Sequence, residues 1–238
     1  MKTITLLSII TVFAVSLPAA ITSPKDEVTS AIKALSQQAN YSWKATVAVP
    51  ATSTLRPGIT EGKTAKFGFT EVTLSSGEVR TEFLIKGQNG AILSADNGWQ
   101  TLDEAWAGPG RGRFLAIVAR NFKPPTEAAA VLAESVNDLE KGDEFIAGNL
   151  TAAKAEQLLL SEGASDTKKA PKISLAKGSV KFWIKDGLLA KYEYTFSGNL
   201  KSGDRELEVN RDCIVEISNV GTTTVTPAAD AMQFFPAN

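Results

Sequence analysis

Between Gly178 and Gly198 the chain alternates apolar and polar residues on both sides of an Asp-Gly pair. Val180, Phe182 and Ile184 alternate with Lys181, Trp183 and Lys185; beyond Asp186-Gly187, Leu188, Ala190, Tyr192, Tyr194 and Phe196 alternate with Leu189, Lys191, Glu193 and Thr195. A period of two around such a turn predicts a β-hairpin. A two-residue type I′ turn would pair Ile184 with Leu189 and Phe182 with Lys191, setting one strand's apolar face beside the other's polar face. A three-residue loop, Lys185 to Gly187, with Gly187 left-handed in a G1 bulge, instead pairs Ile184 with Leu188, Phe182 with Ala190 and Val180 with Tyr192. The spacing therefore predicts the three-residue loop, with Trp183 opposite Leu189 on the outer face.

The same reading extends along the chain. Ser23 as cap, Pro24 at the first helical position, Asp26 and Glu27 in the first turn and the stripe Val28, Ala31, Ile32, Leu35, Ala39 predict a helix. Tyr41, Trp43, Ala45, Val47 and Val49 then alternate as a strand ending at Pro50. Residues 51–62 read as a loop. Ala65, Phe67 and Phe69 alternate with polar residues, and the parity shift to Val72 and Leu74 predicts a bulge near Thr70 and Glu71. Val79–Ile85, Ala91–Ala95 and Trp99–Leu102 follow as strands between Gly- and Asn-rich turns, making a meander of about five.

The middle of the chain changes period. Gly108–Arg113 (GPGRGR) reads as a flexible lid or linker. Phe114, Leu115, Ile117, Val118 and Phe122 then form a helical stripe that stops before Pro124-Pro125. Thr126 caps a second helix with Val131, Leu132 and Leu139 inside, Glu144–Ala147 reads as a short strand, and Thr151 caps a third helix that stops at Gly163. Residues 161–173 read as a mobile loop. After the hairpin, Leu207, Val209, Cys213, Val215 and Ile217 share one face of a long strand, Thr222–Val225 reads as a short closing strand, and the tail from Pro227 is weakly helical. This order is that of an α+β protein with an antiparallel sheet, helices covering one of its faces.

Composition narrows the classes. Residues 1–20, with Lys2, an apolar run and Pro18-Ala19-Ala20, read as a secretory signal peptide, a retained N-terminal anchor helix being the alternative. No other apolar run approaches membrane length, and residues 21–238 suffice for one domain, expected as a monomer. The 25 basic and 26 acidic residues are not segregated, so bulk charge recruits neither nucleic acid nor an anionic membrane. With one cysteine the chain has no internal disulfide, and a core must hold it.

The chain has no histidine, which removes the commonest general base and metal ligand. Cys213, on an apolar strand face, reads as a small buried residue rather than a nucleophile. Carboxylate pairs such as Glu206 and Glu208 read as solvated, no flanking motif supports a glycosidase, and no calcium-loop, phosphate-loop or dinucleotide pattern occurs. No catalytic residue, metal or cofactor is assigned. Trp43, Trp99, Trp106 and Trp183 read as packing residues, with a greasy cavity between sheet and helices as the sharper alternative.

The helix entering a strand (Ser23 to Val49), the segment KGQNGAILSADNGWQTL, the hairpin GSVKFWIKDGLLAKYEY and the ending CIVEISNVGTTTVTPAADA together resemble the LolA/LppX/LprG superfamily of bacterial envelope lipoprotein carriers and lipid-binding lipoproteins. The resemblance implies a curved antiparallel half-barrel with helices on its concave face, enclosing a hydrophobic cavity for acyl chains. It implies as lining Trp43, Val47, Phe67, Phe69, Phe83, Ile85, Val180, Phe182, Ile184, Tyr192 and Tyr194 from the sheet, and Phe114, Ile117 and Val118 from a lid helix. The sequence departs from the lipoprotein members in having no N-terminal lipid-attachment cysteine, and Arg80 and Arg120 only lie in regions suggestive of the carrier's lid-closing arginine. The expected function is an exported, periplasmic or secreted, non-enzymatic carrier or sensor that binds a lipid or lipoprotein acyl chains. The alternative is a structural or interaction protein of the envelope with a filled core and no lipid ligand.

Overall fold

The computed structural model describes residues 23–48, 58–66, 68–94, 97–108, 110–162, 172–202 and 205–235. The expected signal peptide, Val49, Phe67, the helix stop at Gly163 and most of the expected mobile loop lie outside them. The first helix, α1 (Pro24–Ser36), starts as its sequence dictates. The Ser23 side chain accepts from the Asp26 N–H at 3.1 Å, and Val28, Ala31, Ile32 and Leu35 are buried on one stripe. Strands β1 (Asn40–Ala48), β2 (Ile59–Ala65), β3 (Thr70–Ser76), β4 (Val79–Lys86), β5 (Asn89–Ser94) and β6 (Gly98–Thr101) follow.

Helices α2 (Leu102–Ala107), α3 (Arg111–Asn121) and α4 (Pro125–Glu134) come next, then the short strands β7 (Glu140–Lys141) and β8 (Ile146–Asn149). The chain continues through α5 (Ala152–Glu162), three long strands β9 (Lys172–Lys185), β10 (Leu188–Ser202) and β11 (Arg205–Ser218), and the single turn α6 (Ala229–Met232).

All eleven strands join one antiparallel sheet in the order β6-β5-β4-β3-β2-β1-β11-β10-β9-β8-β7. Two meanders meet where β1 pairs with β11, Trp43 opposite Ile217 and Val47 opposite Cys213. The sheet is open, with β6 and β7 as its short edges. A twisted open sheet of more than about ten strands curls, and this one curves around a single contiguous core reaching from Ile92 on β5 to Ile146 on β8, with the helices on the concave face. A second, smaller cluster (Leu84, Ala91, Ala231, Phe235) lies on the other face, where α6 and the residues after it cover β4 and β5.

The opening hairpin departs from its expected register. Leu188 pairs with Lys185 and Leu189 with Ile184, so the loop is the two-residue Asp186-Gly187. Both residues are left-handed, at φ 52° and 75°, as a type I′ turn requires. The apolar face is kept continuous by a bulge after Leu189: beyond it Lys191 pairs with Trp183, Tyr192 with Phe182 and Tyr194 with Val180. Leu189 consequently lies on the core face, fully buried, and Trp183 faces Lys191 rather than Leu189.

Five further expectations change. The segment read as a loop to residue 62 contains β2. The bulge expected near Thr70 is the turn between β2 and β3, in which the Ala65 N–H donates to the Phe69 carbonyl at 3.1 Å. Arg111–Arg113, read as a flexible linker, forms the first turn of α3, and Thr126 sits inside α4, whose cap is Pro124. Thr222–Val225 forms no strand; instead the Thr226 N–H donates to Glu71 Oε1 at 2.7 Å.

Candidate functional site

Alternation along β1, β4, β9 and β10 turns Trp43, Val47, Phe83, Ile85, Val180, Phe182, Ile184, Tyr192 and Tyr194 toward the helices, and all nine belong to or pack against the one main core. Its middle is filled. Val180, Phe182, Leu189 and Tyr192 have 0–2 % exposure, so no water-sized gap touches them. Two aromatic rings there lie across glycines on the partner strand, Trp43 across Gly62 and Phe196 across Gly178. A Cβ on Gly62 would stand 2.3 Å from the indole, so the absence of a side chain lets the ring lie flat on the sheet.

The remaining expected lining residues are elsewhere. Phe69 stacks edge-on against Phe235, ring centroids 4.9 Å apart, in the cluster on the opposite face, because β2 ends at Ala65 and the turn reverses the parity. Phe67 lies outside the described residues. On α3 the buried residues are Leu115, Ala116 and Ala119, while Phe114 is 57 % exposed and Ile117 and Val118 are half-buried. The expected stripe follows the large residues, whereas the helix turns Leu115 and the small Ala116 and Ala119 inward.

The space on the concave side is at one end of the sheet. A cleft of about 680 Å³ separates the ends of β1–β4 from the link between α3 and α4. Tyr41, Thr64, Thr70, Ile85, Phe122 and Thr126 line it, with Lys66, Lys86 and Glu127 at the rim. Phe122 stacks on Trp43 at 5.7 Å between centroids, which fixes the link over the sheet. The hydroxyls form a chain: Trp43 Nε1 donates to Thr64 Oγ1 at 3.2 Å, Thr70 Oγ1 donates to the same oxygen at 3.4 Å, and the Tyr41 hydroxyl stands 3.5 Å from Thr126 Oγ1. These last two distances lie beyond the usual range of O–H···O bonds, so both contacts are weak.

Burial pushes the Tyr41 hydroxyl pKa above its ordinary value, against the lowering effect of Thr126 and Thr64. Tyr192 is pushed up well beyond its ordinary value, first by burial and then by Cys213 and Tyr41. Both therefore stay neutral donors at physiological pH. Tyr41 shares the alternation of Trp43 and was legible in the sequence. Thr64, Thr70 and Thr126 were not, because threonine on a strand or a helix start has the same pattern whether it faces water or a cleft.

A second groove, about 550 Å³, lies on the outer face of β1–β4 under residues 226–228. Its charges are paired, Lys44 with Glu61 at 3.5 Å and Lys63 with Glu71 at 3.8 Å across strands and Arg80 with Glu82 at 3.2 Å along β4. Among the described residues no cluster of three or more acidic, cysteine or histidine groups is placed to hold a metal ion, and Cys213 is buried in the core.

Fold and cleft together define a class: an open, curved antiparallel sheet with helices seated on its inner face. No protein-family model matches the chain, and no curated protein does. It is similar to several solved structures. The lipoprotein LppX of Mycobacterium tuberculosis shares 12 % identity over 85 % of this chain and 97 % of its own, with a TM-score of 0.46. LprF of Mycobacterium bovis shares 12 % identity over 86 % and 96 %, TM-score 0.43, and a LolA superfamily protein of Nitrosomonas europaea 12 % over 90 % and 98 %, TM-score 0.33.

Proposed function

We propose that this protein is a non-catalytic, exported lipid-binding protein that takes up acyl chains between its curved sheet and its helices, entering at the cleft beside Phe122. The observation that carries the reading is the composition of the helix layer. Beside the larger Val28, Ile32, Leu35, Leu102, Leu115, Leu132 and Leu159, the helices bury seven alanines, Ala31, Ala105, Ala116, Ala119, Ala129, Ala133 and Ala155, all at 5 % exposure or less. Each such methyl buries far less apolar area than a leucine would, at about 25 cal/mol per Å², so the seam of the helix layer is less cohesive at these positions than leucines would make it. The sheet side of that seam presents Trp43, Phe83, Phe182 and Tyr192, a surface that an acyl chain can cover in place of the alanines, each buried methylene contributing about 0.8 kcal/mol before ordering costs. A cleft of about 680 Å³ falls within the roughly 300–1,000 Å³ of ligand pockets.

A second reading has its own observation. The full burial of Val180, Phe182 and Leu189 is that of a filled core, which suits an envelope structural or interaction protein that works through its surface. Native mass spectrometry of the protein taken from its own cell envelope separates the two. A co-purifying lipid mass, with saturable uptake of a fluorescent fatty acid, is the expected result; an empty protein that takes up no probe leaves the filled-core reading.

A further inference from the structure

Charges that are mixed along the sequence separate by strand on the outer face of the three longest strands. Opposite the buried Val180, Phe182, Cys213 and Val215, β9 turns Lys172, Lys177 and Lys181 outward and β11 turns Glu206, Glu208, Asp212 and Glu216 outward, and all seven are exposed. Lys172 and Lys177 are five residues apart and would face opposite ways on an unbroken strand. They share a face because Leu175 and Ala176 bulge opposite Gly198, with Leu175 left-handed at φ 54°, a conformation strained for leucine. The bulge thus completes the lysine stripe.

Through β10 the two stripes stand in register. Lys172, Lys201 and Glu206 form one row and Ser174, Asn199 and Glu208 the next. Further along, Lys177 lies in the row of Ser197 and Asn210, Thr195 pairs with Asp212, and Lys181 lies in the row of Glu193 and Ile214. Two strand spacings, about 10 Å, separate the stripes, and among the described residues no ion pair joins them. Asn199 Nδ2 donates to Glu206 at 3.3 Å and Lys181 lies over the Phe145 ring at 5.0 Å, contacts that neutralise neither charge. Lys44, beside Glu216 on β1, is held by Glu61 at 3.5 Å. On β10 itself Lys191 and Glu193 pair at 2.6 Å, and Thr195, Ser197 and Asn199 are uncharged, so the strand between the stripes is close to neutral.

We propose that this face binds the same face of a second copy of the chain, the two related by a two-fold axis running along β10. That rotation exchanges the two sides of β10, so each lysine stripe lies against the carboxylate stripe of the other copy. Lys172 then faces Glu206 of the second copy, Lys177 falls between its Glu208 and Asp212, and Lys181 between its Asp212 and Glu216. An anionic bilayer or a nucleic acid laid on the face would meet four carboxylates beside the three lysines, whereas a second copy presents both signs in the matching order. The contact covers at most three strands of 14 or 15 residues, the small end of specific interfaces, so the dimer is reversible and weakens with salt. It replaces the monomer expected from the sequence, because the stripes exist only once β9 and β11 are set on either side of β10.

Sedimentation velocity of the full chain tests this, across micromolar to millimolar concentrations at low and at high salt. The expected result is a monomer–dimer equilibrium that shifts toward monomer in high salt. Two charge reversals, Lys177→Glu with Lys181→Glu and Glu208→Lys with Asp212→Lys, each set like charges against each other and should weaken self-association about tenfold or more. An equimolar mixture of the two double variants restores the opposite signs on both sides of the axis and should form a heterodimer about as tight as the native dimer. All four positions are exposed, and circular dichroism confirms folding. Association through the apolar N-terminal residues is common to every sample and does not respond to these reversals. A native chain that stays monomeric throughout, a dimer unmoved by either reversal, or a mixture that fails to associate overturns the proposal.

Discussion

Asp186 and Gly187 show how a local preference and a tertiary demand are both met. Asp-Gly favours two left-handed residues in succession, and the turn adopts them. Facing requires an odd residue somewhere, and the strand supplies it one turn later, in the bulge at Ala190. Gly187 stands at φ 75° with nothing within 4 Å of an added Cβ, so Gly187→Ala meets backbone strain alone. It should cost about 1 kcal/mol in urea unfolding, whereas Asp186→Asn should be nearly neutral. The buried tyrosines give a pH dependence. Tyr192 has its pKa raised in the fold by burial, above that of the unfolded chain, so the stability tied to its neutral form is complete below about pH 10 and is lost as pH rises toward the folded value. The denaturation midpoint should therefore fall in alkali, and Tyr192→Phe should flatten that fall.

At the scale of elements, the strands were legible where both faces kept strict alternation, as in β1, β4 and the second half of β9, while in β10 the alternation gave the strand but not the register. β2 (ITEGKTA) was missed because its inner positions are Thr60, Gly62 and Thr64, which carry no apolar signal. Gly62 is there for Trp43 across the strand boundary, a reason no single strand can state. Gly62→Ala puts a methyl 2.3 Å from the indole and 2.8 Å from the Glu71 carbonyl, and it should destabilise by about 1–3 kcal/mol with a change in tryptophan emission as the ring leaves Phe122. In α3 the sequence offered two stripes, one of large residues and one of leucine and alanines. Size favoured the first, yet the close approach of helix to sheet accepted the second.

At the scale of the whole molecule, one core cluster unites both meanders and the helix layer. Phe182, at 0 % exposure near its centre, should cost about 3–5 kcal/mol as Phe182→Ala in equilibrium unfolding. That core explains how a chain with one cysteine folds without a disulfide. It also frames the functional reading, since ligand uptake has to part an alanine seam, whereas a filled core works from outside. By itself the sequence determined the α+β class, the first helix with its cap, most of the sheet and the inward facing of Trp43, Val47, Phe83, Ile85, Val180, Phe182, Ile184, Tyr192 and Tyr194, because periodicity and capping are local and each residue reports its own solvent. Only the tertiary structure decided the joining of β1 to β11, the hairpin's compensating bulge, the outward turn of Phe114 and the cleft among Tyr41, Thr64, Thr70 and Thr126. Each of these depends on which distant surface a residue meets, and close packing between elements settles that after the local pattern has been satisfied.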